Sequence, residues 1–515
     1  MLLQFCSCAA DDERPSDNAK DDDGAGADEG SDSDIDTDTD LDSDSDLDWD
    51  AGDIEDPDPC VDPGSSNQGC EFWAVDLPNV SVAPLSVKPH DQQFAVVVAN
   101  TSADEPAEVS IYLGADTNPS VTQSVPVDDI VTFKLPSQNI QPGATTSNGT
   151  AYRIESNVPI TAYQFNPLDN TTPVYSNDAS LLFPVHVLSK DYTAITGAAT
   201  LVGVDAFSAS DNNTGGFVAV VANEDNTTVT LYPTKTLYPG PYQNVVLNKG
   251  QVLTAIGSGK RAEGNLSGTR VQADKPVAVF SGSVATSEPT GTSKCCADHV
   301  EHQMLPLEAW GSKYTVAPAA AAKGGGDHST VLRISAAFDN TQLEYSPQAP
   351  DGAPTVLDAY QTVEFITDQP FTVSSGDPDK PFSVTQFLLS NQVFSSLSYP
   401  GDPSMIVLPA EDQFQKEYIF LVPQGYQRNW VTIIIPAGAE VILDGAQVAE
   451  TFSPLGTVDG TDYGYAHVRL QPGHHRIESE KEIAITVAGY SDDVSFGYPG
   501  GSGVEVIVVP PPVPE

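Results

Sequence analysis

The sequence predicts an all-β protein of about four repeated β-sandwich-like units behind a disordered acidic N-terminal segment. Three observations predict it. From about Glu71 onward, Val, Ile, Thr, Tyr and Phe cluster in short runs separated by Gly, Pro, Asn and Asp, the texture of strands and turns. Apolar residues at helical spacing are almost absent. Two strand-turn-strand patterns recur with a period of roughly 100–120 residues, the size of an Ig-like sandwich. A large-bladed propeller-like arrangement is the alternative, although blades repeat at about half that period.

The N-terminus, "MLLQFCSCAADDE", is too short and too poor in basic residues to be a complete signal peptide. Residues 1–8 read as the truncated remnant of an export or lipoprotein signal, with Cys8 as the acylated residue and Cys6 second to it. Residues 9–68 read as a disordered Asp/Ser-rich stalk. The first 60 residues hold 23 acids and 2 bases, against a net charge of −50 for all 515 residues. Such a segment buries too little apolar surface to fold and repels itself into an extended linker. Asp46, Asp48 and Asp50 imitate the start of an EF-hand loop, but Ala51 stands where that loop needs glycine.

The four units are placed at residues 69–178, 179–297, 298–401 and 402–502, followed by a C-terminal strand and Pro-rich tail at 503–515. A first pattern comprises "FAVVVANTSADEPAEVSIYLG", "GFVAVVANEDNTTVTLYP", "STVLRISAAFDNTQLEYSP" and "NWVTIIIPAGAEVILDG". A second comprises "YRIESNVPITAYQFNP", "TRVQADKPVAVFSGS", "FTVSSGDPDKPFSVTQF" and "HRIESEKEIAITVAGYS". Its turn ends at Pro159, Pro276 and Pro381, with Glu482 in the fourth copy. A third marker pairs Pro184 with Tyr192, Pro306 with Tyr314 and Pro409 with Tyr418.

The densest group of reactive side chains is "CCADHVEHQMLPLEAWGSKYTVAP" at 295–318. Adjacent cysteines do not chelate one ion in relaxed geometry, and His299 and His302 have helical spacing where no helix is expected. His299, Glu301 and His302 are therefore weak metal candidates, and no metal or cofactor is assigned. Cys60, Cys70, Cys295 and Cys296 form an even set, which points to disulfides in an oxidising compartment. Cys295 or Cys296 is expected to reach back to Cys60 or Cys70. Met304, Leu305, Trp310 and Tyr314 are expected in the core.

No nucleophile elbow, P-loop or dinucleotide fingerprint occurs, so no catalytic residue is named and an enzyme is not expected. His474 and His475 should alternate to opposite faces of a strand. The Asn-x-Ser/Thr triplets at Asn79, Asn100, Asn148, Asn170, Asn212, Asn226 and Asn265 are expected on exposed loops. The acidic surface disfavours nucleic acid.

Several of these stretches resemble the N-terminal domain family of IgG Fc-binding proteins. They are "GCEFWAVDLPN", "YRIESNVPITAYQFNP", "SNDASLLFP", "FVAVVANEDNTTVTL", "KPVAVFSGS", the CCADH segment with "LPLEAWG", and "VAGYSDDVSFGYPGG", in that order between residues 69 and 502. The resemblance implies a secreted or surface-displayed binding domain. In animal relatives it precedes von Willebrand D domains, and in bacterial relatives it stands alone behind an export or lipoprotein signal. No von Willebrand D region or Gly-Asp-Pro-His motif is found here, and His302 stands where relatives tend to carry an acid. The expectation is an exported surface protein, outer membrane-anchored or extracellular, which recognises a protein or glycan through loops such as "TNPSVTQ" and "SEPTGTSK". A membrane partner is expected only through the lipid anchor. A cell-envelope hydrolase and a self-associating matrix protein are the alternatives.

Overall fold

The computed structural model describes residues 60–504, apart from 61–63, 65, 81–87, 139, 141–150, 169–175, 199–214, 239, 241, 259–261, 293, 295, 325 and 394–399. The acylation site at Cys8 and most of the acidic stalk lie outside the described residues. Residues Pro59–Glu515 pack as one compact unit. The described residues are built from strands and five 3-10 turns, without an α-helix, so no helix among them is long and apolar enough to cross a membrane.

One construction recurs, and the second sequence pattern is its axis. Tyr152–Asn166 is a single long strand that changes neighbours halfway. Its first half pairs with Gly69–Ala74 and Ala107–Leu113; its second half pairs with Phe94–Asn100 and Asp178–Leu181. Arg270–Thr286 and Gly473–Ser491 do the same in the second and fourth copies. The exchange falls at Pro159, Pro276 and Glu482, where pairing with the opening strand slips register. A residue without a ladder N–H is tolerated at such a bulge. In the third copy the turn "SGDPDKP" breaks the strand into Phe371–Ser374 and Phe382–Phe387. Their neighbours keep the same order: Lys313–Val316 and Glu344–Ser346 first, then Thr330–Ala336 and Met405–Val407. One strand thus belongs to two sheet halves that fold over a shared core, which makes each unit sandwich-like. A propeller built from separate four-stranded blades is not shown.

The tyrosine marker acts on the proline marker. The Tyr192 hydroxyl accepts from Ser189 N–H and donates to the carbonyl of Val277, the residue after Pro276. Tyr418 accepts from Gln415 N–H and donates to Ile483, after Glu482. Tyr314 donates to Phe382, after Pro381. Each phenol satisfies backbone groups that the slipped ladder leaves unpaired. In the first copy Phe72 takes the corresponding register, opposite Ile154.

The first strand of each hairpin is buried on both faces and divides its side chains between two cores. In Phe94–Asn100, Ala95 and Val97 enter the central core that runs through all four units, while Phe94, Val96 and Val98 enter a second core shared with the second unit. Val218 and Val220 against Phe217, Ala219 and Val221 repeat this division. The first and last described segments meet: Ser66 bridges Gly503, and Asn67 exchanges hydrogen bonds with Ser502.

Most local expectations hold. Met304, Leu305, Trp310 and Tyr314 are buried. His475 is buried and His474 exposed. The triplet rule fails at Asn79 and Asn100, which are buried because their side-chain amides donate to the carbonyls of Asn166 and Ser176, and of Glu105 and Val125. Asn148, Asn170 and Asn212 lie outside the described residues.

Candidate functional site: an acidic centre between the closing strands

The strands that close the four sheet repeats are Asp178–Leu181, Asp298–Gln303, Met405–Val407 and Val494–Pro499, and all four lie against one another. The first three pair back with the preceding repeat and so run past the unit ends expected at 178, 297 and 401. Each is entered through an aspartate: Asp178, Asp298, Asp402 or Asp493. The candidate site is built from these acids and their neighbours.

Asp178 joins the other three closing segments. Its Oδ2 accepts from Met405 N–H at 3.0 Å and Glu301 N–H at 3.1 Å. Its Oδ1 accepts from Ser404 Oγ at 2.7 Å and Gly497 N–H at 3.4 Å. Burial pushes this carboxyl well above the usual range, and Glu301 adds repulsion, while these donors act in the opposite sense.

Asp298 is buried with one oxygen engaged and one free. Oδ1 accepts from Asn177 N–H at 2.9 Å and His299 N–H at 2.7 Å; Oδ2 has no partner. Asp402 is 1% exposed and neither of its oxygens has a hydrogen-bond partner, although the N–H groups of Cys296 and Asn391 face it and ease its charge. Burial raises both carboxyls strongly; Asp298 is raised further by Asp402 and Asp178, and Asp402 by Asp493. Asn391 gives its amide nitrogen to Asp493 and keeps a buried, unpartnered Oδ1. A cavity of about 260 Å³ is lined by Asn391, Asp402, Gly401, His328 and Tyr490 among others.

The candidates taken from the sequence sit beside this centre without forming a ligand set. Strand alternation places His299 and Glu301 on one face and His302 on the other. His299 Nε2 lies 2.9 Å from Glu301 Oε2, and its ring stacks on Phe217. Glu301 also accepts from Gln164 and Asn166. His302 is buried, its Nδ1 bonded to Gln303 O, and burial pushes it down to about 4. Among the described residues no three His, Cys, Asp or Glu side chains gather as a metal site.

The expected long-range disulfide is corrected. Cys60 pairs with Cys70, only ten residues away, because the fold brings their Cα atoms to 5.6 Å, within disulfide reach. Cys296 is also disulfide-bonded, to a partner outside the described residues. Sequence reasoning did not single out the entry aspartates. The available signal was an Asp at the start of each closing segment, in Asn177-Asp178, Ala297-Asp298, Gly401-Asp402 and Asp492-Asp493.

A second feature lies between the second and third units. Arg333 is buried, with Nη2 2.7 Å from both Glu288 Oε2 and Glu364 Oε2, and Nη1 donates to Thr196 O. Burial, opposed by Arg333, leaves Glu288 pushed up to about 7. Arg333 and Glu364, with Thr234, Lys235, Ala262 and Thr362, line a polar groove of about 530 Å³.

The family model described as IgGFc binding protein matches residues 178–489, beginning on Asp178 itself. The IgGFc-binding protein of Homo sapiens is 23% identical over 454 residues, covering 85% of this chain and 8% of the human protein. The chain therefore spans less than a tenth of that relative's length. Among solved structures, an anti-sigma factor domain-containing protein from Clostridium clariflavum covers 82% of this chain and 99% of its own, at 10% identity and a TM-score of 0.11, a likeness that carries no argument. With the family model spanning more than half of its length, the chain belongs to the IgGFc binding protein family.

Proposed function

We propose that this protein is an exported binding protein that takes a protein ligand in the polar groove between its second and third units. Family membership is the observation that carries the binding role. Export is supported by disulfide bonding at Cys60, Cys70 and Cys296, since such bonds persist in oxidising compartments. Surface display on a lipid anchor at Cys8, with the acidic segment as spacer, completes the reading. The groove lies beside the loop "SEPTGTSK", and hydroxyls, Lys235 and Arg333 line it. Among the described residues it has no aromatic platform for sugar stacking, which favours a polar protein surface over a glycan.

Glu288 and Glu364 are the residues to weigh for a hydrolase. Both carboxylates are held by the same guanidinium nitrogen, and Glu288 is fully buried and does not line the groove. That arrangement favours a clamp between units.

The test is surface-immobilised full-length chain probed with human IgG Fc, with a panel of secreted proteins and with a glycan array. Binding of a protein is expected, weakened at least tenfold by Lys235→Glu and by Ala262→Trp with no change in unfolding temperature. Retention of glycans alone, or protein binding indifferent to both changes, overturns the reading.

A further inference from the structure

The geometry points to a calcium site between Asp298 and Asp402, completed by the amide oxygen of Asn391 and, on the far side, by that of Asn177. Four kinds of observation carry it. First, Asp298 Oδ2 and both oxygens of Asp402 are buried without a well-formed hydrogen bond, the donors nearest Asp402 being the N–H groups of Cys296 and Asn391. A buried polar group left unpaired carries its desolvation cost uncompensated, the more so when charged, so three at one place call for something that pairs with them.

Second, the two amides independently present oxygen. Asn391 is 5% exposed, its nitrogen is committed to Asp493, its Oδ1 is unpartnered, and the residue lines the cavity that Asp402 also lines. Asn177 is 1% exposed, its nitrogen faces Tyr426 Oη, and its Oδ1 is unpartnered beside Asp298, to which its backbone N–H donates.

Third, the two carboxylates belong to one junction: Ser390 Oγ donates to the carbonyl of Cys296, two residues before Asp298, and the Cys296 N–H faces Asp402. Asp402 and Asp178 repel the charge of Asp298, and Asp493 repels that of Asp402. A divalent cation cancels two such charges.

Fourth, the donor set selects the ion. Carboxylate and amide oxygens suit hard cations, and a buried cage of protein oxygens suits calcium, whereas magnesium retains most of its water. The cavity of about 260 Å³ reaches Asp402 and provides an entry path. His299 stays outside the set because alternation turns it from Asp298 toward Glu301 and Phe217.

Bound calcium would tie the second and third closing segments together beside the Asp178 junction. The experiment uses full-length chain stripped with EDTA, then CaCl2 or MgCl2, followed by calorimetric titration and thermal unfolding. The acidic N-terminal run is common to every variant, so any calcium it takes up cancels in the comparison. At a hundredfold excess over Kd, calcium is expected to raise Tm by about 3 °C for a chain of this size. Magnesium is expected to raise it less. Asp402→Asn should weaken calcium at least tenfold and abolish the Tm shift. In EDTA it should melt above wild type, because the repulsion with Asp298 is gone. Asn391→Ala should weaken calcium without that gain. A wild-type Tm indifferent to calcium overturns the site, as does a full calcium response surviving in Asp402→Asn. An equal or larger response to magnesium overturns the choice of ion.

Discussion

The carboxylate of Asp178 accepts a hydrogen bond from the backbone N–H of Glu301, 3.1 Å away and more than a hundred residues along the chain. The same side chain holds Met405 N–H, Ser404 Oγ and Gly497 N–H, so the last strand of the first unit is bonded to the last strands of the other three. Asp178→Asn keeps the size but replaces one acceptor oxygen with a donor that faces N–H groups. It is expected to cost about 2–4 kcal/mol, the range for breaking a buried charged network. Urea unfolding of the two proteins measures it.

The tyrosine clamps give a graded series. Tyr192→Phe and Tyr418→Phe each remove a hydroxyl that serves one N–H and one carbonyl. Each is expected to lose about 1–3 kcal/mol. Phe72→Tyr in the first unit, where the ring already lacks the hydroxyl, should give no comparable gain. Paired denaturation curves with unchanged slopes would confirm that the native sheets survive.

Glu288 sets a pH dependence. Its ordinary value of 4.5 is pushed up to about 7 in the fold. Between those values the folded protein keeps a proton that the unfolded chain has released, so stability falls as pH rises through that window and levels off above it. A shift of this size corresponds to about 3 kcal/mol at most. Glu288→Gln should flatten that part of a stability-against-pH curve measured from pH 4 to 8.

Reduction of Cys60–Cys70 opens a loop of sequence separation 10. Chain entropy assigns about 3 kcal/mol to such a short loop, against about 5 for a link across two hundred residues. Cys60→Ser with Cys70→Ser is therefore expected to lose no more than about 3 kcal/mol by urea unfolding, with the change in hydrogen exchange concentrated in the strand Gly69–Ala74.

The sheets were legible in the sequence because they rest on alternation and turn chemistry. "WVTIIIPAGAEVIL" breaks at its Pro-Ala-Gly into Arg428–Pro436 and Val441–Leu443. "VAPAAAAKGGGDHS" forms the short pair Ala319–Ala320 and Asp327–His328, not a helix. The proline and tyrosine markers were both visible, yet their joining was not, since it depends on where a strand slips register. The acidic centre was hidden for a similar reason. An aspartate after Asn, Ala or Gly looks like a solvated turn residue, and only the meeting of four distant segments buries it. Cysteine pairing failed as a reading because spacing along the chain says little about which Cα atoms approach.

Amide hydrogen exchange at the Asp178 junction tests the central claim most directly, that one carboxylate couples the closing strands of all four units. In wild type, Glu301, Met405 and Gly497 should exchange among the slowest amides. In Asp178→Asn all three should accelerate together, by tenfold or more, while Val97 and Val220 in the hairpin strands change little. Acceleration confined to one of the three, or none, would contradict the account.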